Sequence, residues 1–138
     1  MRAYRRLASD PPVVVVWGPT LPELFENAGW AIFLEGHDLN DVAPTYSRPI
    51  VAPGDTIDEL LLNWLDELIF VSQSERLVWS YFVVDRLEEG GVQGSASGLP
   101  IDQVVRTGPR AVSLDLAPSG LVEVPDGWWV EFRIVVES

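Results

Sequence analysis

The sequence predicts an α+β fold: a two-layer sandwich in which two main helices pack on one side of a mostly antiparallel β-sheet. Two stretches with helical apolar spacing predict the helices, and each begins with a threonine followed three residues later by a glutamate. The second half of the chain alternates short β-branched and aromatic runs with turns, a pattern typical of antiparallel strands. A chain of 138 residues fits one domain covering positions 1–138.

The first predicted helix follows directly on a strand. Val13–Trp17 is a β-branched run closed by Gly18, which predicts a buried strand. The hydroxyl of Thr20 can then cap the first helical turn while Glu23 reaches back to the cap. The apolar face of this helix comprises Leu21, Leu24, Phe25, Ala28 and Ile32. Residues 1–12 lack such a pattern and are expected to be irregular.

The second predicted helix is the strongest local signal in the chain. Thr56 and Glu59 form a second capping box, and the amphipathic pattern continues to about Val71. A loop over 34–47 and a short strand over 48–52 are expected before this helix. Its apolar face comprises Ile57, Leu60, Leu61, Trp64, Leu65, Leu68 and Ile69.

The rest of the chain is expected to form strands. Glu88–Gly91 predicts a tight turn, and Asp126-Gly127 predicts another. The stretch over 99–105 fits neither a helix nor a strand clearly. The predicted strands are Leu77–Leu87, Val92–Ser97, Ala111–Leu116, Leu121–Val124 and Trp128–Val136.

Composition excludes several classes of function. The chain carries 21 Asp+Glu against 9 Lys+Arg, a formal net charge of −12. Nucleic-acid binding depends on cations that neutralise phosphates, so a direct nucleic-acid binder is not expected. The acidity suits solubility or attraction to a basic protein partner. With no cysteine the chain has no disulfide or thiolate site, and no apolar run is long enough to cross a membrane, so a cytoplasmic location is expected.

Catalytic motifs are equally scarce. No G-x-x-x-x-G-K-[S/T] loop for nucleotide phosphates and no G-x-S-x-G turn for a nucleophilic serine occurs. His37 is the one histidine, and we expect it to be a loop side chain rather than an acid–base catalyst. The sequence therefore predicts a protein that is not an enzyme.

Three stretches occur in an informative order. Gly18–Ala28 reads G-P-T-L-P-E-L-F-E-N-A, Asp58–Leu68 reads D-E-L-L-L-N-W-L-D-E-L, and Thr107–Ser113 reads T-G-P-R-A-V-S. They resemble the archease motifs G-x-T-L-E-E-L-F-E-x-A, L-E-E-L-L-x-x-W-L-N-E-L and, in altered form, G-T-E-V-K-A-I/V-T. His37-Asp38 is similar to the T-D pair that follows the first helix in that family.

The resemblance implies an accessory role and a small α+β sandwich. Archeases assist the RtcB-type RNA ligase in tRNA splicing and RNA repair, by promoting its activation through guanylylation and its multiple turnover. The implied partner is therefore this ligase, and the implied role is that of a protein cofactor.

The resemblance also implies a divalent-cation site. The positions that match the family's acidic cluster are Asp10, Asp38, Glu137 and the terminal carboxylate of Ser138. Such oxygen ligands suit Ca²⁺ or Mg²⁺. Arg110 matches the family's late lysine and is a further functional candidate, although it could instead pair with a carboxylate.

This chain departs from the family pattern at that site, which leaves alternatives open. No histidine precedes Asp10, alignment of Asp10 needs a one-residue insertion, and Glu137 replaces an aspartate. One alternative is a protein-binding module that kept the fold but lost the cation site and the ligase role. Another is a metal-dependent hydrolase that uses the same carboxylates.

Overall fold

The computed structural model of the protein describes residues 4–7, 11–40 and 42–137. In chain order the main elements are β1 (Tyr4–Leu7), β2 (Val13–Gly18), α1 (Leu21–Leu34), β3 (Tyr46–Gly54), α2 (Ile57–Glu75), β4 (Leu77–Glu88), β5 (Gly90–Pro100), β6 (Ala111–Leu116), β7 (Val122–Val124) and β8 (Gly127–Val136). A short 3₁₀ helix, Ile101–Gln103, lies between β5 and β6.

The strands form two sheets, and every strand pairing between these elements is antiparallel. One sheet has five strands in the order β1-β2-β8-β6, with β7 also paired to β8. The other has three strands in the order β3-β5-β4. The α+β class, the antiparallel pairing and the two main helices are thus confirmed, and the structure adds the division of the strands between two sheets.

Both helices contact both sheets. Helix α1 packs against β2 and β4, and α2 packs against β3 and β6. Because each helix touches two layers, it buries residues around much of its circumference. On α1 these include Leu24, Phe25, Ala28, Gly29, Ala31, Ile32 and Phe33, and on α2 they are Leu60, Leu61, Trp64, Leu65, Leu68 and Ile69.

Both predicted capping boxes are present. Thr20 Oγ1 accepts a hydrogen bond from the Glu23 N–H at 3.3 Å, and Thr56 Oγ1 accepts one from the Glu59 N–H at 3.1 Å. Each bond satisfies an amide that the helix itself cannot pair.

Helix α2 extends four residues beyond the predicted end near Val71, because its last turn is polar and carries no apolar signal. It stops where Arg76 adopts a left-handed conformation with φ of 57°. No helix within the described ranges is both long enough and apolar enough to cross a membrane.

The expectation of an irregular segment over 1–12 needs correction, because Tyr4–Leu7 forms β1. This strand pairs with β2, and Tyr4 packs against the core. Its sequence, Y-R-R-L, shows no alternation of apolar and polar residues, so pairing with β2 rather than local pattern determines its structure. Strand β3 is also longer than predicted, since its pairing with β5 runs from Tyr46 to Gly54.

Candidate functional site

The turn that follows α1 meets the loop before β6. His37 and Arg106 form an isolated antiparallel bridge, and the Thr107 N–H donates to the carbonyl oxygen of Gly36 at 3.0 Å. Gly36 allows this approach, because a Cβ at that position would lie 2.9 Å from the Cα of Arg110. The two loops are therefore joined through their backbones.

The end of β8 reaches the same place. The Glu137 N–H donates to the carbonyl oxygen of Arg110 at 2.9 Å. The structure thus brings together the post-helix turn, the loop over 105–110 and the end of the last strand. The first and last of these carry Asp38 and Glu137, two of the residues that the family resemblance implies.

Glu137 lies between two arginines. Its Oε1 accepts from the backbone N–H of Arg110 at 3.3 Å and also contacts the Arg106 guanidinium, while Arg110 Nη2 donates to Oε2 at 3.2 Å. The side-chain and backbone hydrogen bonds from Arg110 lower the pKa of Glu137, and the charge of Arg106 lowers it further. Arg110 and Glu137, both predicted site residues, are therefore direct partners.

Arg106 is a member of this cluster that the sequence analysis did not single out. It has the spacing R-x-x-x-R with Arg110, across the turn formed by residues 107–109. That spacing is a weak signal, because it places two cations together only if the intervening residues turn back. The turn is visible only in the structure, where Arg106 Nε donates to the carbonyl oxygen of Gly108 at 2.9 Å.

His37 is buried beside the cluster, with 3% of its surface exposed. Burial lowers its pKa, and the charges of Arg106 and Arg110 lower it further, against the opposing effect of Glu137. A backbone hydrogen bond at Phe33 also opposes the lowering of the pKa, whereas Nε2 has no hydrogen-bond partner within the described residues. The lowered pKa favours the neutral imidazole. His37 lies in the loop between α1 and β3, and the structure adds that its side chain is buried.

A small cavity borders this histidine. Its volume of about 20 Å³ is enough for roughly one water molecule. Its walls come from α1, α2 and the site loops, and they include Ile32, Phe33, His37, Ile69, Ser72 and Arg110. A space of this size is too small for a nucleotide or another drug-sized ligand.

The other predicted ligands are placed differently. Asp38 Oδ1 accepts a hydrogen bond from the Asn40 N–H at 3.0 Å, the pattern of a local turn. Asp10 and Ser138 lie outside the described residues. Among the described residues, no three His, Asp or Glu side chains are grouped so that they could hold a metal ion. Both oxygens of Glu137 already accept from arginine, so the described residues alone do not fit a divalent cation.

The buried histidine makes stability depend on pH. A pKa lower in the folded chain than the ordinary 6.5 means that the unfolded chain binds more protons as the pH falls. We expect the free energy of unfolding to be maximal above pH 6.5 and to decrease below it, by at most about 1.4 kcal/mol per pH unit for this one proton. Urea unfolding at pH 7.5, 6.5 and 5.5 measures the decrease. Equal values at pH 7.5 and 5.5 would contradict it.

Comparisons with known proteins agree with this architecture. Residues 13–117 match the family model described as "Archease protein family (MTH1598/TM1083)". The protein archease of Methanosarcina acetivorans is 30% identical over 130 residues, which cover 89% of this chain and 86% of that protein. The protein archease of Methanopyrus kandleri is 34% identical over 123 residues, covering 87% and 88% respectively.

A solved structure shares the fold. The solution structure of Methanobacterium thermoautotrophicum protein 1598 superimposes with a TM-score of 0.76, over 98% of this chain and 100% of that chain, at 20% sequence identity. The family match covers most of the chain and the relatives are aligned over most of their own length. The chain therefore belongs to the archease family.

Proposed function

We propose that this chain is a protein cofactor of an RtcB-type RNA ligase, and that it promotes activation of the ligase by guanylylation and its repeated turnover in tRNA splicing or RNA repair. The observation that carries the proposal is the family match over residues 13–117. The meeting of the post-helix turn with the end of β8 supports it, because the resemblance implies that functional residues lie in both segments.

The residues at this meeting point suit binding to another protein. A charged cluster is formed by Arg106, Arg110 and Glu137. About half of the Arg106 side chain is exposed to solvent. Guanidinium groups held in this way present donors in fixed directions, which favours recognition of a partner's carboxylates or carbonyl groups. In this proposal the chain positions the ligase and performs no bond-making step itself.

A multiple-turnover ligation assay tests the proposal. Adding the purified chain to an RtcB-type ligase is expected to raise the number of turnovers, and Glu137→Ala is expected to reduce that stimulation about fivefold, because both arginines lose their common partner. Glu75→Ala is the matched control, since Glu75 pairs with Arg48 through a 2.8 Å contact at a separate place.

Each outcome of this assay has a distinct meaning. No stimulation by the unmodified chain would refute the proposed function. Stimulation that Glu137→Ala leaves unchanged would exclude Glu137 from the contact while the role of the chain stands. Equal losses with Glu137→Ala and Glu75→Ala would indicate a general effect of removing surface charge.

A second candidate function is a binding module without the cation site. The pairing of Glu137 with two arginines favours it, because a cation would have to compete with both guanidinium groups. The cation site itself, formed by Asp10, Asp38, Glu137 and Ser138 with Ca²⁺ or Mg²⁺, stays a proposal. Thermal unfolding with millimolar Ca²⁺ or Mg²⁺ separates the two: a rise in Tm that Asp38→Asn removes supports the site, and an unchanged Tm supports the module.

A further inference from the structure

A surface groove runs between the edge strand β3 and helix α2. Its volume is about 380 Å³. Among the described residues, strand β3 pairs only with β5, so it forms an edge of the three-stranded sheet. The residues that line the groove are Val51, Ala52, Pro53, Asn63, Asp66, Glu67 and Phe70.

Two large apolar side chains of this groove are exposed to solvent. Phe70 has 62% of its surface exposed and Val51 has 59%. Phe70 lies on the outer side of α2, whereas the preceding residues Leu68 and Ile69 are buried in the core. Neither Phe70 nor Val51 therefore contributes much to folding, and an apolar partner side chain would remove both from water.

Acidic side chains flank the apolar pair. Asp66 lies one helical turn before Phe70, and Glu67 directly follows Asp66 in the sequence. Neither carboxylate forms an ion pair or a side-chain hydrogen bond within the described residues, although other carboxylates such as Glu35 and Glu75 do. Desolvation raises the pKa of Asp66, although the residue as a whole is exposed to solvent.

The groove is held in shape by a bond across it. Asn63 Nδ2 donates to the carbonyl oxygen of Pro53 at 2.8 Å and so ties α2 to β3. Asn63, Asp66 and Phe70 recur at helical spacing along one stripe of α2. A partner would therefore meet a preformed surface and would not have to order it.

The chemistry of the edge indicates what kind of segment fits. Pro49 and Pro53 have no N–H groups, so β3 cannot offer a full ladder to an added strand. The groove is instead suited to a segment that places an apolar side chain beside Phe70 and cationic side chains beside the carboxylates of Asp66 and Glu67. The charge of −12 attracts such a segment over a longer distance.

We propose that this groove docks a basic segment of a partner protein, which inserts an apolar side chain between Val51 and Phe70 and pairs lysine or arginine with Asp66 and Glu67. This inference goes beyond the proposed function, because it concerns a surface made by β3 and α2 and does not require the partner to be the ligase.

Binding of two synthetic peptides tests the proposal. The first is a helical peptide of leucine and lysine, and the second has serine in place of every leucine at the same charge. In amide NMR spectra of the full chain, the leucine peptide is expected to shift resonances of β3 and of α2 around Phe70. Phe70→Ser is expected to weaken its binding about tenfold, and Asp66→Asn about threefold.

Tyr81→Ser is the matched control, since Tyr81 is an aromatic residue of β4 with 53% of its surface exposed. It should bind the leucine peptide as the unmodified chain does. Equal binding of the two peptides, shifts centred away from the groove, or unchanged affinity of Phe70→Ser would each overturn the docking site. Failure to bind the leucine peptide at millimolar concentration would overturn it as well, and none of these results depends on the ligase assay.

Discussion

Replacing Trp64 by alanine is expected to lower the free energy of unfolding by about 4 kcal/mol. Trp64 is fully buried on α2, and its indole N–H donates to the carbonyl oxygen of Phe25 on α1 at 3.2 Å. The substitution removes the largest type of apolar side chain from the core and the hydrogen bond that joins the two helices. Thermal unfolding should show Tm lower by roughly 10–15 °C for a chain of this length.

The control for this prediction is Phe70→Ala on the same helix. Phe70 is mostly exposed, so its replacement should change the free energy of unfolding by no more than about 0.5 kcal/mol. A Trp64→Ala chain as stable as Phe70→Ala would contradict the central position of the indole between the helices.

Replacing Gly98 by alanine is expected to cost about 3 kcal/mol or more. A Cβ at Gly98 would lie 1.8 Å from the carbonyl oxygen of Val78, a distance that no folded chain sustains, so β4 would have to move. The register of β4 against β5 shifts between Trp79 and Tyr81, next to the pair that Trp79 makes with Gly98. Gly98 thus allows β4 to approach where its pairing is irregular.

Gly91→Ala is the matched control on the same strand. A Cβ at Gly91 would lie 3.7 Å from its nearest neighbour, the carbonyl oxygen of Ala52, which is an ordinary contact. This variant should be as stable as the original chain or slightly more stable, because glycine loses more conformational freedom on folding than alanine. Urea unfolding of both variants provides the comparison. Equal losses would indicate that the spacing of β4 and β5 does not depend on Gly98.

Features that depend on nearby residues were predictable from the sequence. Thr20 and Thr56 sit three residues before their glutamates, and both helices begin where this spacing indicates. Strand β6 begins at Ala111 and ends at Leu116 as predicted, because its alternation matches a sheet with one buried face.

Features that depend on distant pairing were not predictable. Tyr4–Leu7 forms a strand because it pairs with β2, and no local pattern in its sequence indicates a strand. The division into two sheets likewise depends on which strands meet: β2 pairs with β8, and β3 pairs with β5. Periodicity identifies a strand but not its partner, so the number of sheets could not be derived.

The candidate site was likewise predictable only in part from the sequence. The resemblance pointed to Asp38, Arg110 and Glu137, and the structure places Arg110 and Glu137 in contact and Asp38 in the adjoining turn. It could not point to Arg106 or to the burial of His37, because both follow from how one loop folds against another. For Asp10 and Ser138 the prediction stands as it was made.

The central position of β8 has a consequence for synthesis of the chain. This strand pairs with β2, β6 and β7, and all three of these partners are synthesised before it. Residues 46–100 supply the whole three-stranded sheet and α2, so that unit can assemble while translation continues. Until β8 emerges, Val14 and Val16 of β2 lack their main strand partner. A nascent chain stalled before residue 127 should therefore present β2 to chaperones, and release from them should coincide with emergence of residues 127–136.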